Sequence, residues 1–145
     1  MRVVFMNSDL TSALELLRSG DHTCVVCRGQ AVYTSDARGV APLLGWLDRG
    51  LSLEGFSAAD KVVGRGAAFL YVLLGVRAVH ALVMSQMARE VLDAYGVEAS
   101  CDSCPPRILN RDRSGFCPIE TAVEGISEPQ EALEAIRARL AQLRA

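Results

Sequence analysis

The sequence predicts an α/β domain, a three-layer α-β-α sandwich with a mixed sheet. Three observations carry that class. Stretches with helical spacing of apolar residues alternate with short apolar runs of strand length, the pattern of a sheet covered on both faces. Thr23 to Arg28 and Ala31 to Ser35 flank Gly29-Gln30, which fits a two-residue hairpin turn with glycine first. Ala78 to Met84 is almost continuously apolar, as a strand buried on both faces must be. The 145 residues contain no internal repeat and read as one domain spanning 1–145.

Each element has a local reason. Ser8 or Asp9 is placed to cap a first helix carrying Leu10, Leu14 and Leu17, and Gly20 ends it. After the hairpin, Pro42 stands near the start of a short helix with Leu43, Leu44, Trp46 and Leu47, stopped at Gly50; Trp46 reads as packing. Ser57 stands three residues before Asp60, the spacing of a capping box, so a central helix is expected from about Ala58 to Leu74. Beyond Lys61 and Arg65 that stretch is nearly all apolar, which predicts a helix buried on all sides. Ser85 should cap a helix from Gln86 to Tyr95, stopped at Gly96. Val97 to Cys101 reads as a strand, and Asp102 to Gly115 as a long irregular loop of the kind that carries sites. Pro118 opens a short helix ending near Gly125. Ser127 to Gln130 forms a second capping box before a closing helix lined by Leu133, Ile136, Leu140 and Leu143.

Composition narrows the function classes. Half the residues are hydrophobic and 22% are charged, an ordinary globular balance. A net charge of −2 gives no broad attraction for nucleic acid. The longest apolar run, Ala67 to Val76, is about ten residues, half of what spans a bilayer, so no membrane association is expected. The first residues are too short an apolar stretch for a secretory signal, and five cysteines is an odd number. Reduced thiols in a cytoplasmic protein are the resulting expectation.

Four groups of residues are specific when taken together: Arg38-Gly39-Val40 with Pro42-Leu43-Leu44, Asp60-Lys61-Val62-Val63-Gly64, Asn110-Arg111-Asp112, and Cys117-Pro118-Ile119-Glu120. On them the chain resembles, over nearly its whole length, a small prokaryotic family known only as a domain of unknown function, with the cytidine deaminase-like fold. Deaminases of that fold place His-x-Glu at the start of a first core helix and Pro-Cys-x-x-Cys at the start of a second, for a zinc ion. Those places are read here as Asp60-Lys61-Val62-Val63 and Met84-Ser85-Gln86-Met87-Ala88. Neither offers a zinc ligand, so the resemblance implies the fold without the metal, and no cofactor is expected.

Two constellations are candidate sites. Lys61 and Arg65, four apart on the expected helix, would share a face. With the free amides of its first turn they would bind a small anionic or nucleotide-like ligand. Gly64 would allow close approach, Ser85 would line the same region, and Asn110 and Arg111 would close over the anion. The second is Cys117, ahead of a helix whose positive end favours its thiolate. It would be a nucleophile in a zinc-independent enzyme, with Asp60, Lys61 or Glu120 as acid/base partners. A capping Asp60, solvated cations and a plain core cysteine are the structural readings of the same residues. A non-catalytic interaction subunit and a homo-oligomer also remain open.

The other cysteines and the histidines read as structural. Cys24 and Cys27 sit three apart on a strand and so face opposite ways. Cys101 and Cys104 would bind metal only with Cys117 as a third ligand, and loop cysteines are the expectation. His80 is expected to be a satisfied histidine in a buried strand, and His22 a surface one.

Overall fold

The computed structural model describes residues 7–108 and 117–144. Its eleven elements run α1 (Ser8–Ser19), β1 (Cys24–Arg28), β2 (Ala31–Ser35), α2 (Ala41–Asp48), β3 (Ser57–Val63) and α3 (Arg65–Leu74). They continue with β4 (Ala78–Met84), α4 (Gln86–Ala94), β5 (Glu98–Ser103), α5 (Pro118–Ala122) and α6 (Pro129–Arg144). The strands form one mixed sheet in the order β2-β1-β3-β4-β5. β1 is antiparallel to both β2 and β3, whereas β3, β4 and β5 run parallel, joined by crossovers through α3 and α4. The expected sandwich is therefore present, with helices on both sides of a mixed sheet.

Among the described residues one helix covers one face. Leu10, Ala13, Leu14 and Leu17 of α1 pack on Val25, Cys27, Ala59 and Ala78. All the other helices lie on the opposite face, around a larger core that includes Cys24, Val26, Trp46, Phe69, Tyr71 and Ile136. Cys24 and Cys27 thus belong to different cores, as strand alternation requires. In the hairpin turn Gly29 has φ +59°, a conformation that a β-carbon would disfavour. Among the described residues no helix is long and apolar enough to cross a membrane.

The main correction concerns the chain's centre. Ser57 caps nothing: it begins β3, and the central helix starts at Arg65 rather than Ala58. Alanines at 58 and 59 suit a helix by propensity, but here β1 and β4 flank the segment and supply both ladders. Smaller corrections concern caps. Asn7, not Ser8 or Asp9, accepts from the Leu10 amide (2.7 Å) and also receives the Ser57 hydroxyl (3.1 Å). In place of a Ser127–Gln130 box, the Glu128 carboxylate accepts from the Glu131 amide (2.9 Å). β5 begins at Glu98 and runs on to Ser103, two residues beyond its expected end.

Candidate functional site

Antiparallel pairing fixes where the site lies. β1 starts beside the end of β3, with Cys24 directly opposite Asp60. The chain leaving β2 comes back to the same end of the sheet as Arg38 to Pro42. A cavity of about 260 Å³ opens there. Its walls are Thr23 and Cys24, Arg38 to Val40 with Pro42, Asp60 to Val62, Gly64 and Ala67, and then Ile108, Cys117, Ile119 and Glu120. Crevices beyond strand ends at a change of sheet direction are where open α/β sheets bind ligands. Arg38, Val40, Val62, Cys117 and Ile119 are shared with a wider groove between α2 and α6, of about 950 Å³.

A hydrogen-bonded chain of buried side chains sits at the cavity wall. The Tyr71 hydroxyl, from α3, donates to Asp60 Oδ2 at 2.5 Å. The Cys24 sulfur lies 3.1 Å from the same hydroxyl oxygen. A phenol has one proton, and Asp60 takes it, so the Cys24 thiol is the donor to Tyr71. Burial pushes the Cys24 thiol well above its usual range, as does the charge of Asp60, which keeps that thiol protonated. Tyr71 is raised for the same two reasons. Asp60 is 7% exposed. Its burial pushes the carboxyl up to about 7, against the opposing pull of Tyr71, the Val62 and Lys61 amides and Cys24. A carboxyl that titrates near neutrality and faces a cavity is equipped to accept a hydrogen bond or to move a proton.

Glu120 occupies the start of the central helix. Its carboxyl lies over Gly64, so closely that a β-carbon there would fall 1.9 Å from Oε1. Burial raises Glu120 above the ordinary carboxyl value, while the Gly66 and Arg65 amides and the Arg65 and Arg107 guanidinium groups pull it back. The positive end of α3 is therefore already matched by the protein's own anion. Gly66 allows a second close approach, since a β-carbon there would meet Ile119 Cγ2 at 2.7 Å. Among the four groups of residues noted in the sequence, Asp60-Lys61-Val62-Val63-Gly64 and Cys117-Pro118-Ile119-Glu120 thus meet at one junction.

The sequence-based candidates sort into three sets. Asp60, Lys61, Gly64, Cys117 and Glu120 do converge on the cavity. Arg65 and Ser85 do not. Lys61 lies on β3 and Arg65 on α3, so the shared helix face does not exist. The Arg65 guanidinium stacks on the Phe69 ring at 5.3 Å and donates to the Ile126 carbonyl. Ser85 is wholly buried and caps α4, accepting from the Ala88 amide at 3.0 Å. Asn110 and Arg111 lie outside the described residues. Cys117 does stand at the N-cap position of α5, but its side chain makes no capping bond and that helix is only five residues long.

Sequence reasoning missed Cys24, Tyr71 and Arg38 as site residues. Arg38 stood in a noted group and could have been found there; Cys24 and Tyr71 become visible only once β1 and β3 are paired. Of the two places compared with deaminase zinc motifs, Asp60 to Val63 lies on β3 rather than at a helix start, whereas Ser85 does stand at the start of α4. Among the described residues no group of three or more His, Cys, Asp or Glu is placed to hold a metal ion. His80 is satisfied as expected, with Nδ1 2.7 Å from Ser100 Oγ and Nε2 3.0 Å from Asp102 Oδ1.

Residues 12–140 match the family model described as "TM1506: Domain of unknown function (DUF1893)". The chain is similar to the crystal structure of a DUF1893 family protein (TM1506) from Thermotoga maritima. The TM-score is 0.82 at 29% identity, over 95% of this chain and 92% of that one. The apo dCMP deaminase of cyanophage S-TIM5 matches at a TM-score of 0.43 and 13% identity, over 66% of this chain and 99% of that one. A likeness of that size carries no argument here. No curated protein matches the sequence.

Proposed function

The chain belongs to the DUF1893 family, and from that premise we propose that its cavity binds a small nucleotide-like or phosphorylated molecule in one orientation. The inner end of the ligand presents an N–H or O–H donor to Asp60. Its anionic end stays at the rim with Arg38 and Lys61. One observation supports this above the others: a single cavity wall combines a buried carboxyl, Asp60, with an exposed guanidinium, Arg38. Charge sets the direction. Asp60 and Glu120 repel an anion from the interior, and the amino end of α3 has no free role as an anion site. Lys61 is exposed and starts on the opposite face of the sheet from Asp60, so Arg38 is the stronger candidate. The volume suits a small ligand, since pockets for drug-sized molecules begin near 300 Å³.

Thermal unfolding with a panel of nucleosides, nucleotides and sugar phosphates tests the reading. At about 100 times its Kd, a true ligand should stabilise the protein by ~2.7 kcal/mol. Arg38→Ala should reduce that shift strongly, and Lys61→Ala less. If no compound shifts the transition, the cavity is not such a site. If nucleosides act as well as nucleotides, the anionic half of the reading fails.

A second reading has one observation of its own in support: Cys117 lines the same cavity as Asp60, an acid/base group poised near neutral pH. In that reading Cys117 attacks an electrophilic ligand and Asp60 manages the proton. Lys61 and Glu120 were the other partners considered; Glu120 is engaged with the first amides of α3, and Asp60 is the carboxyl that titrates near neutral pH. The expected result is that Cys117 is alkylated by iodoacetamide several-fold faster than Cys101 or Cys104, with Cys24 and Cys27 protected by burial. Equal rates at the three accessible thiols would remove this reading.

A further inference from the structure

A second chain of polar side chains lies on the face of the sheet away from the cavity. His80 of β4 stands beside Ala59, which belongs to the α1 core, and pairs in register with Ser100 of β5. Asp102 follows Ser100 by two residues, so all three side chains share the α1 face. His80 Nδ1 lies 2.7 Å from Ser100 Oγ, and Nε2 lies 3.0 Å from Asp102 Oδ1. Arg18, in the last turn of α1, donates to the other carboxylate oxygen, Oδ2, at 3.1 Å. The hydrogen bond from His80 holds the Asp102 carboxyl below its ordinary value, and the charge of Arg18 adds to the effect. An ionised carboxylate only accepts, so the proton between the two groups belongs to Nε2. In the neutral ring Nδ1 is then the acceptor, and the Ser100 hydroxyl donates to it. His80 is buried, Ser100 is half-buried and Asp102 is exposed.

We infer that Ser100 is the nucleophile of an ester-hydrolysing site, with His80 as its general base. A serine bonded to an imidazole whose far nitrogen is held by a carboxylate is the arrangement that activates a hydroxyl for acyl transfer. The two ring nitrogens are exchanged relative to the serine-protease case, and each partner keeps its role. Asp102 is a positioning residue: it fixes the tautomer and steadies the imidazolium that forms. β5 is the outermost strand. Glu98 gives its amide to the Arg77 carbonyl at 3.1 Å, so the alternating residues Ala99 and Cys101 turn theirs away from β4. The Cys101 amide, next to Ser100, is thus left over by the sheet as a donor to an oxyanion. Glu98 and Asp102 flank Ser100 on one face, which selects against an anionic acyl group. The substrate class is therefore a small ester with an uncharged acyl group. Ser100 Oγ attacks the acyl carbon as its proton passes to His80 Nδ1. The imidazolium gives that proton to the departing alcohol oxygen, and Ser100 is left acylated. Water then attacks this ester with the same nitrogen as base, and a carboxylic acid leaves.

The experiment treats the full-length chain with an alkyl fluorophosphonate at pH 8, followed by trypsin and fragment-ion mass spectrometry. Ser100 Oγ attacks phosphorus and fluoride leaves, so the label stays on the serine. Ser103 lies in the same peptide, between Arg89 and Arg107, and serves as the reference for an ordinary strand serine. The expected result is one label per chain, at Ser100. Steady turnover of 4-nitrophenyl acetate should accompany it and vanish in Ser100→Ala. His80→Gln should slow the labelling about 100-fold. Asp102→Asn should slow it roughly tenfold or more, and Asp102→Glu, which keeps the carboxylate, should recover most of the rate. Thermal unfolding shows which variants are folded; if His80→Gln is not, the exposed Asp102 pair decides the matter. No label at Ser100, no turnover, or labelling of Ser103 at the same rate would overturn the assignment. So would folded variants that all react like the wild type.

Discussion

Asp60→Asn should be more stable than the wild type at pH 8, by about 2–4 kcal/mol, and nearly unchanged in stability at pH 4. The sign follows from where the proton sits. In the folded chain the Asp60 carboxyl titrates at about 7, against 3.8 for an ordinary aspartate. Between those values the folded state holds a proton that the unfolded state has lost, so stability falls as pH rises. The penalty is absent below the lower value, grows through the interval at roughly 1.4 kcal/mol per pH unit, and is complete above the higher one. Asparagine keeps an acceptor for the Tyr71 hydroxyl and removes the charge. Urea unfolding of both proteins from pH 4 to pH 8 measures the difference. Parallel pH profiles would mean that Asp60 is not held high by its burial. A residue kept at such a cost to stability is the kind expected at a working site rather than in a scaffold.

Gly64→Ala should destabilise the protein by about 2–4 kcal/mol, combining overpacking with the loss of a helix cap. Gly64 has φ −97°, so backbone freedom is not the reason. The added carbon would fall on the Glu120 carboxyl and 3.3 Å from Ile108. Glu120 would have to leave the first amides of α3, and among the described residues no other carboxylate lines that cavity except Asp60. The double variant Gly64→Ala with Glu120→Ala separates crowding from capping. It should be no less stable than Gly64→Ala alone, because the new methyl then has room. Strictly additive losses, measured by urea unfolding at pH 7, would show that the two residues do not share one space.

Much of this was legible in the sequence, and the main gap has a definite cause. Gly29-Gln30 marked the hairpin, Ser85 marked α4, and the unbroken apolar run marked β4, because in each case local chemistry and tertiary environment agree. At Ser57 to Val63 they disagree. The segment has helix-favouring alanines and an imitation capping box, yet it is a central strand because its neighbours complete two ladders. The candidate site survived that error in part. Asp60, Lys61, Cys117 and Glu120 were named for a helix end and a reactive thiol, and they meet instead because the end of β3 leads into the start of α3, on which α5 packs. Tyr71 read only as one more apolar residue of a buried helix. Nothing local announces that its hydroxyl reaches a carboxyl eleven residues back on another element.

The lone helix on the other face has a consequence of its own. Five strands spaced ~4.8 Å apart make a sheet roughly 20–25 Å across, whereas a helix with its side chains is about 10–12 Å wide. α1 therefore roofs only the middle, and the strands it reaches are β1, β3 and β4. On the β5 side the composition obeys that limit: β5 turns Ser100 and Asp102 outward, where Arg18 at the edge of the roof meets Asp102 at 3.1 Å. β2 does not, for its Val32 and Tyr33 stay apolar and exposed. The breadth of one helix thus marks where the sheet turns wettable at one flank and leaves a greasy strand bare at the other.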